Sequence, residues 1–260
     1  MKVQYINHMG DDLSVVNSAR VSFGKKSDYM PRVHMGESKV LQHKDEKLIK
    51  YLAEHNHKSP FNHAFATFHV KAPIFVARQL QKHEYMPWNE ISRRYVDSEP
   101  EFYEPDVWRG RSADKKQGSE GVVPLEYIDS FTFKHIRDYW DETVASLAYD
   151  APYEEGRYTP EQSILDDIHY VYEEEVIPLY NKLLKAGVAP EQARMVLPQS
   201  MYTEWYWSGS LYAFAKMCSL RCTPDSQYET RVIANLISDK MFELFTVSWD
   251  ALRTVMYKGE

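Results

Sequence analysis

Residues 65–95 read FATFHVKAPIFVARQLQKHEYMPWNEISRRY, and the pattern changes character twice within them. Phe65 to Lys71 is rich in aromatic and β-branched residues, which pack well on a pleated surface, so this part predicts a strand. Pro73 sits at no cost in the first turn of a helix, where its missing amide proton has no partner to lose. Pro87 ends what Pro73 begins, and a helix is expected from Pro73 to about Glu84. A second extended piece is expected from Ile91 to Val96. Alternate side chains of a strand share a face, so Glu90, Ser92 and Arg94 would project together.

Working outward, Lys2 to Asn7 alternates apolar and polar residues as a short strand does, and Asp12 to Arg20 has a helical pattern. Leu48, Ile49, Tyr51 and Leu52 mark an amphipathic helix over Lys44–His55. Residues 25–42 are polar, contain Pro and Gly, and predict an exposed loop. Residues 97–122, with the charged run Arg109 to Lys116, predict a polar surface loop. Further helices are expected within Leu125–Ala148 and from Thr159-Pro-Glu-Gln162, whose Thr, Pro and Gln spell a capping box. The latter carries a stripe through Ile164, Ile168, Val171, Tyr172, Leu179 and Leu183, with a kink at Pro178 and a stop at Gly187. The last is expected to start at Thr223-Pro224 and to run through Val232, Leu236, Met241 and Leu244 towards Trp249. The fold class is therefore α+β: a helix-rich single domain over residues 1–260 with a small, mainly antiparallel sheet.

A chain of 260 residues, 43% of them hydrophobic, has enough apolar surface for a substantial core. Its net charge of −7 and pI near 5.8 argue against a protein that coats nucleic acid, which needs a basic face. Without a run of roughly 18 apolar residues or an apolar leader, neither membrane insertion nor export is expected, and the cytoplasm is the expected compartment. Cys218 and Cys222 share one helix face at a spacing that seldom suits a disulfide, and no familiar Cys/His spacing surrounds them. Reduced thiols and no metal are expected.

None of the glycines forms a G-x-G-x-x-G or a G-x-x-x-x-G-K-[ST] pattern, so a nucleotide would have to be held by side chains or helix ends. Arg78 and Lys82 stand four apart, with Gln79 and His83 on nearly the same face. Such a like-charge pair either flanks an anion or is made tolerable by the helix dipole. Glu90, Ser92 and Arg94 offer partners for a base edge, a sugar hydroxyl and a phosphate; equally, they read as the charges of a solvated edge strand.

The stretch Lys82-His83-Glu84, seven residues, then Ser92 resembles the Arg-His-Arg, seven residues, Ser signature of the flavin-dependent thymidylate synthases. Arg20-Val-Ser-Phe-Gly24, the run from His57 to His63, the run from Phe68 to Gln79, Ala193-Arg-Met-Val-Leu-Pro198, Tyr202-Thr203 and Leu220-Arg221, with Gln227 and Glu229 after them, resemble further blocks of that family in order and spacing. The likeness spans most of the chain apart from a family-atypical loop at 25–42 and an extended segment at 97–158. It implies reductive methylation of dUMP to dTMP, with methylenetetrahydrofolate giving the carbon and FAD, reduced by NADPH, giving the hydride. It implies a homotetramer whose sites are shared between subunits. For dUMP it implies Gln79, Lys82, Glu90, Ser92, Arg94, Arg194 and Arg221, the last as the catalytic guanidinium at the pyrimidine edge. For FAD it implies Ser22, Ser59, Lys82, His83, Glu84, Glu90, Ser210 and Lys216, and it places His57 near the folate or nicotinamide entrance. Two positions depart from the signature. Lys82 keeps a charge without the bidentate fork of arginine, and Glu84 reverses the charge, for which Lys216 is expected to compensate. No cysteine nucleophile is needed by this family.

Overall fold

Phe65–Pro73 does form a strand, and it lies in the interior of the main sheet. The computed structural model describes residues 1–30, 40–96, 98–113, 118–123 and 168–257. Its first elements are β1 (Lys2–Met9), α1 (Asp12–Arg20), a 3-10 turn (Val21–Phe23), α2 (His43–Glu54), α3 (Lys58–Phe61), β2 (Phe65–Pro73), α4 (Ile74–Leu80) and β3 (Trp88–Glu90). Next come β4 (Arg109–Arg111), β5 (Ser119–Val122), a π-helical turn (Val171–Val176), α5 (Ile177–Lys185), α6 (Pro190–Ala193) and a 3-10 turn (Arg194–Val196). The chain continues through β6 (Tyr202–Ser210), α7 (Leu211–Arg221), α8 (Tyr228–Leu244) and α9 (Thr246–Met256). The helices expected within Leu125–Ala148 and from Thr159 fall outside the described residues.

The chain divides into two units. One joins Met1–Ser92 to Gln199–Glu260; the second holds the described residues of 93–113, 119–123 and 168–198. In the first unit the sheet order is β1-β2-β6-β3, antiparallel throughout, with an irregularity in β1 between Tyr5 and Asn7. The period of two is visible in β2, where Ala66, Phe68, Val70 and Ala72 are buried while the residues between them are not. Trp205 and Trp207 of β6 are buried on the same side, where Phe214 of α7 meets Phe68 edge-on at 5.2 Å and Trp207 at 5.4 Å. Such aromatic burial contributes about 1.5–3 kcal/mol per side chain and holds α7 to the sheet.

Five helix and strand boundaries differ from expectation. Pro73 is the last residue of β2, not the first of a helix, and α4 ends at Leu80. The chain must turn back there to bring β3 alongside β6, and Ser208 N donates to the Pro87 carbonyl at 3.1 Å. β3 therefore occupies Trp88–Glu90, while 93–95 form a turn in place of the strand expected at Ile91–Val96. The Trp88 indole decides this register, stacking on Trp205 at 4.3 Å and 17°. In the C-terminal part, Thr223-Pro224 forms a turn, α8 starts at Tyr228, and Phe245 breaks the helix with φ −137° and ψ 54°. Asp12 of α1 supplies the cap for the second piece, accepting from Val247 N at 3.0 Å and Ser248 N at 2.8 Å.

Within the second unit, the segment read as a loop contains the antiparallel pair β4 and β5. Pro178 stands in the first turn of α5, directly after the π-helical turn. A proline has no amide proton for the carbonyl four residues back, which suits a widened turn at that point. Gly187, at φ +84°, ends the helix as expected.

Candidate active site

Two returns of the chain build the polar corner of the first unit. After α4, Gln81 N donates to the Ala77 carbonyl at 2.8 Å and His83 N to the Leu80 carbonyl at 3.2 Å. Tyr85 then adopts a left-handed φ of 61°, and residues 81–85 form a tight turn rather than a continued helix. Opposite stands the last residue of α7, Arg221. Its Nε donates to His83 Nε2 at 3.2 Å, and its Nη2 points at the Gln79 carbonyl at 3.4 Å. The guanidinium is thus held by the last turn of α4, through Gln79, and by the turn that follows, through His83.

His83 accepts in this arrangement, which requires a neutral imidazole carrying its proton on Nδ1. Its pKa is lowered from 6.5 to about 4, first by burial and then by the charges of Arg221 and Lys216. The geometry and the lowered pKa agree on an unprotonated acceptor at neutral pH.

Beside it runs a chain of amides. Gln79 Nε2 donates to Gln227 Oε1, and Gln227 Nε2 donates to Glu229 Oε2 at 3.1 Å. A carboxylate oxygen accepts, so Glu229, only 3% exposed, sets the direction of both amides. Gln227 and Glu229 were visible in sequence only as matching positions; no local pattern connects them to Gln79, which lies 148 residues away from Gln227.

Glu90, at the end of β3, has both carboxylate oxygens engaged. Oε2 accepts from Trp88 Nε1 at 3.0 Å and Oε1 from Thr203 Oγ1 at 2.6 Å. The expected common face of Glu90, Ser92 and Arg94 does not form, because β3 stops at Glu90. Ser92 follows it outside regular structure, and Arg94 lies in a turn of the second unit with its guanidinium 5.0 Å from the Tyr95 ring centre. Arg194 opens a 3-10 turn in that unit and donates through Nε to the Glu191 carbonyl at 3.2 Å.

The remaining candidates are distributed as follows. Lys82, Glu84 and Lys216 are exposed. Ser22 lies in the turn after α1 and Ser59 in α3, both exposed, and Ser18 Oγ of α1 reaches the Pro60 carbonyl of α3 at 3.3 Å. His57 precedes α3, exposed, with its ring 6.0 Å from that of Tyr51. Ser210 is different in kind: it is buried, donates to Asn62 Oδ1 at 2.7 Å and accepts from Ala213 N at 3.1 Å. Its hydroxyl is committed to starting α7. The two cysteines are free thiols, and Cys218 is buried against the Ala234 carbonyl at 3.6 Å.

An antiparallel sheet covered by helices, with a guanidinium held by a neutral imidazole and directed amides, defines an α+β protein equipped to stabilise charge on a small polar ligand. The comparisons make that class specific. Residues 4–245 match the model of the family described as thymidylate synthase complementing protein. A flavin-dependent thymidylate synthase of Thermus thermophilus is 35% identical over 257 residues, covering 99% of this chain and 77% of the relative. That of Thermosipho africanus is 33% identical over 258 residues, covering 99% and 93%. Among solved structures, a UMP/dUMP methylase of Streptomyces cacaoi with 5-Br UMP bound aligns with a TM-score of 0.70 and 25% identity, over 98% of this chain and 95% of that one. The chain belongs to the family of the flavin-dependent thymidylate synthases.

Proposed function

We propose that this protein converts dUMP to dTMP by reductive methylation, with methylenetetrahydrofolate as carbon donor and FAD reduced by NADPH, in thymidylate synthesis. The observation that carries the reading is Arg221, fixed by His83 Nε2 at 3.2 Å and the Gln79 carbonyl at 3.4 Å in a corner lined by amides. A guanidinium remains charged and donates in a planar fork, so it offers stabilisation where the pyrimidine gains negative charge during activation. Because it is oriented before the ligand arrives, little reorganisation is needed at the moment of reaction. Gln79, Lys82, Glu90, Ser92, Arg94 and Arg194 supply the further polar contacts to the nucleotide.

FAD, when bound, supplies the hydride. The donors available for it fit in part: the exposed hydroxyls of Ser22 and Ser59 and the ammonium groups of Lys82 and Lys216 suit acceptor oxygens, and His83 suits a ring edge. Glu90 offers an acceptor for a hydroxyl. Glu84 opposes a phosphate, and Lys216 offsets it. Ser210 is left out of this set because its hydroxyl is engaged internally. His57 is assigned to the folate or nicotinamide entrance, and the active assembly is a cytoplasmic homotetramer with shared sites.

Anaerobic incubation with dUMP, methylenetetrahydrofolate, NADPH and FAD, followed by product mass, tests the reading. Formation of dTMP is expected; hydroxymethylated dUMP would mean altered one-carbon chemistry, and no product with no uptake of FAD would mean a non-catalytic nucleotide binder. Similarity to a UMP/dUMP methylase favours one second reading, that UMP is also methylated, and a parallel incubation with UMP decides it.

A further inference from the structure

Glu90 is exposed, yet its carboxylate is not free to turn. One oxygen accepts from the Thr203 hydroxyl at 2.6 Å and the other from the Trp88 indole at 3.0 Å. Both donors are themselves immobilised. Thr203 is 3% exposed on β6, and Trp88 is clamped by stacking on Trp205 at 4.3 Å and by an edge contact with Trp207 at 5.6 Å. The antiparallel register, Trp88 opposite Trp207 and Glu90 opposite Trp205, brings the three groups onto one side of the sheet.

An ordinary exposed glutamate samples several rotamers and loses that freedom when a ligand orders it, which weakens binding. Here the freedom is removed in advance. Each carboxylate oxygen has two lone-pair sites, so one accepted bond apiece leaves the others for a donor arriving from solvent. An acceptor-only group with this geometry matches a hydroxyl, and repels the phosphate of the same nucleotide.

We propose that Thr203 and Trp88 are positioning residues that pre-orient Glu90 as the acceptor for a sugar hydroxyl of the nucleotide. The inference rests on the nucleotide-binding part of the proposed function. Neither residue needs to touch the ligand: Thr203 is buried, and both act through the orientation of one carboxylate.

The test is a two-by-two comparison by titration calorimetry on the full-length protein, with Thr203 or Thr203→Val against dUMP or 2′,3′-dideoxyuridine monophosphate, which lacks the hydroxyl. With the native protein, loss of the hydroxyl should weaken binding about tenfold, the range set by a hydrogen bond to a charged group. Thr203→Val should weaken dUMP by about the same factor and leave the dideoxy nucleotide nearly unchanged, because a bond to a charged acceptor has been loosened only for the ligand that uses it. Thr203→Ser, which restores a hydroxyl, should bring dUMP affinity back. Trp88→Phe, which keeps the stack but removes the indole N–H, provides a second variant with the same expected pattern. Equal weakening of both nucleotides by Thr203→Val and Trp88→Phe would overturn the positioning role and leave only a general structural one. A native protein that binds dUMP but is indifferent to the hydroxyl would overturn it too, while the proposed function stands. A native protein that binds neither nucleotide would overturn the proposed function and the inference together.

Discussion

Replacing Arg20 by Met should destabilise the protein far more than an exchange at a helix end ordinarily does. Asp45 of α2 is fully buried, and its Oδ1 accepts from Arg20 Nε at 3.0 Å, Arg20 Nη2 at 2.5 Å and Ser27 Oγ at 3.0 Å. Its Oδ2 is buried without a hydrogen-bond partner among the described residues. The guanidinium is therefore the main compensation for a carboxylate placed in the core. Breaking a buried pair by removing one partner costs about 3–5 kcal/mol, since the other charge stays behind. The Arg20 side chain is 19% exposed, which lets water approach part of the vacated space and sets the expectation at the lower end, about 3 kcal/mol. For a chain of this size each kcal/mol moves the midpoint by about 2–4 °C, so a drop of roughly 6–12 °C is expected in thermal unfolding. Methionine preserves most of the aliphatic volume, which isolates the charge. The double variant Arg20→Met, Asp45→Leu should recover most of the loss, because no charge is left to strand. A single variant less than about 1 kcal/mol below the native protein, or a double variant no better than the single, would refute this account of the α1–α2 contact. The same ion pair anchors the turn that carries Ser22, so uptake of FAD should weaken in the single variant and return in the double.

Three other outcomes follow from the site. The lowered pKa of His83, about 4 against 6.5 when unfolded, means the unfolded chain takes up the proton first as pH falls. Its stability contribution is whole above pH 6.5 and is lost between there and about 4; melts at pH 7 and pH 5 should show a smaller difference for His83→Gln than for the native protein. Arg221→Lys keeps the charge but loses the fork and the paired contacts to His83 and Gln79, so kcat for dTMP formation should fall by roughly 10²–10³ with folding intact; a change below tenfold would remove Arg221 from the chemistry. Cys218→Ala with Cys222→Ser should preserve turnover, since the proposed chemistry uses neither thiol, and loss of product from a folded, FAD-loaded variant would reverse that view.

Local chemistry was enough to place β1, α1, α2 and β2, because their apolar periods and β-forming composition are regular. The structure adds what closes the start of α1: Asp11 accepts from Ser14 N at 2.9 Å and returns its own N–H to Ser14 Oγ at 3.1 Å. The residues proposed for the nucleotide were named for a different reason: ordered blocks of a family leave their identities in the chain even where the spacing alone permits a solvated strand. What no local pattern could supply is the set of contacts between distant segments. The end of α4 at Leu80 is decided by the need to return β3 to β6, and the break at Phe245 coincides with a cap contributed by Asp12, more than two hundred residues earlier. The same holds at the site. His83 is in sequence an ordinary histidine with an ambiguous role, and its neutrality comes from burial and from the charges of Arg221 and Lys216. Thr203 and Trp88 look like core residues until β6 and β3 pair and aim their donors at Glu90. By itself the sequence determined which groups are present and the regular elements that carry them. Only the tertiary structure decided their direction and charge state, because hydrogen-bond geometry and desolvation depend on neighbours in space.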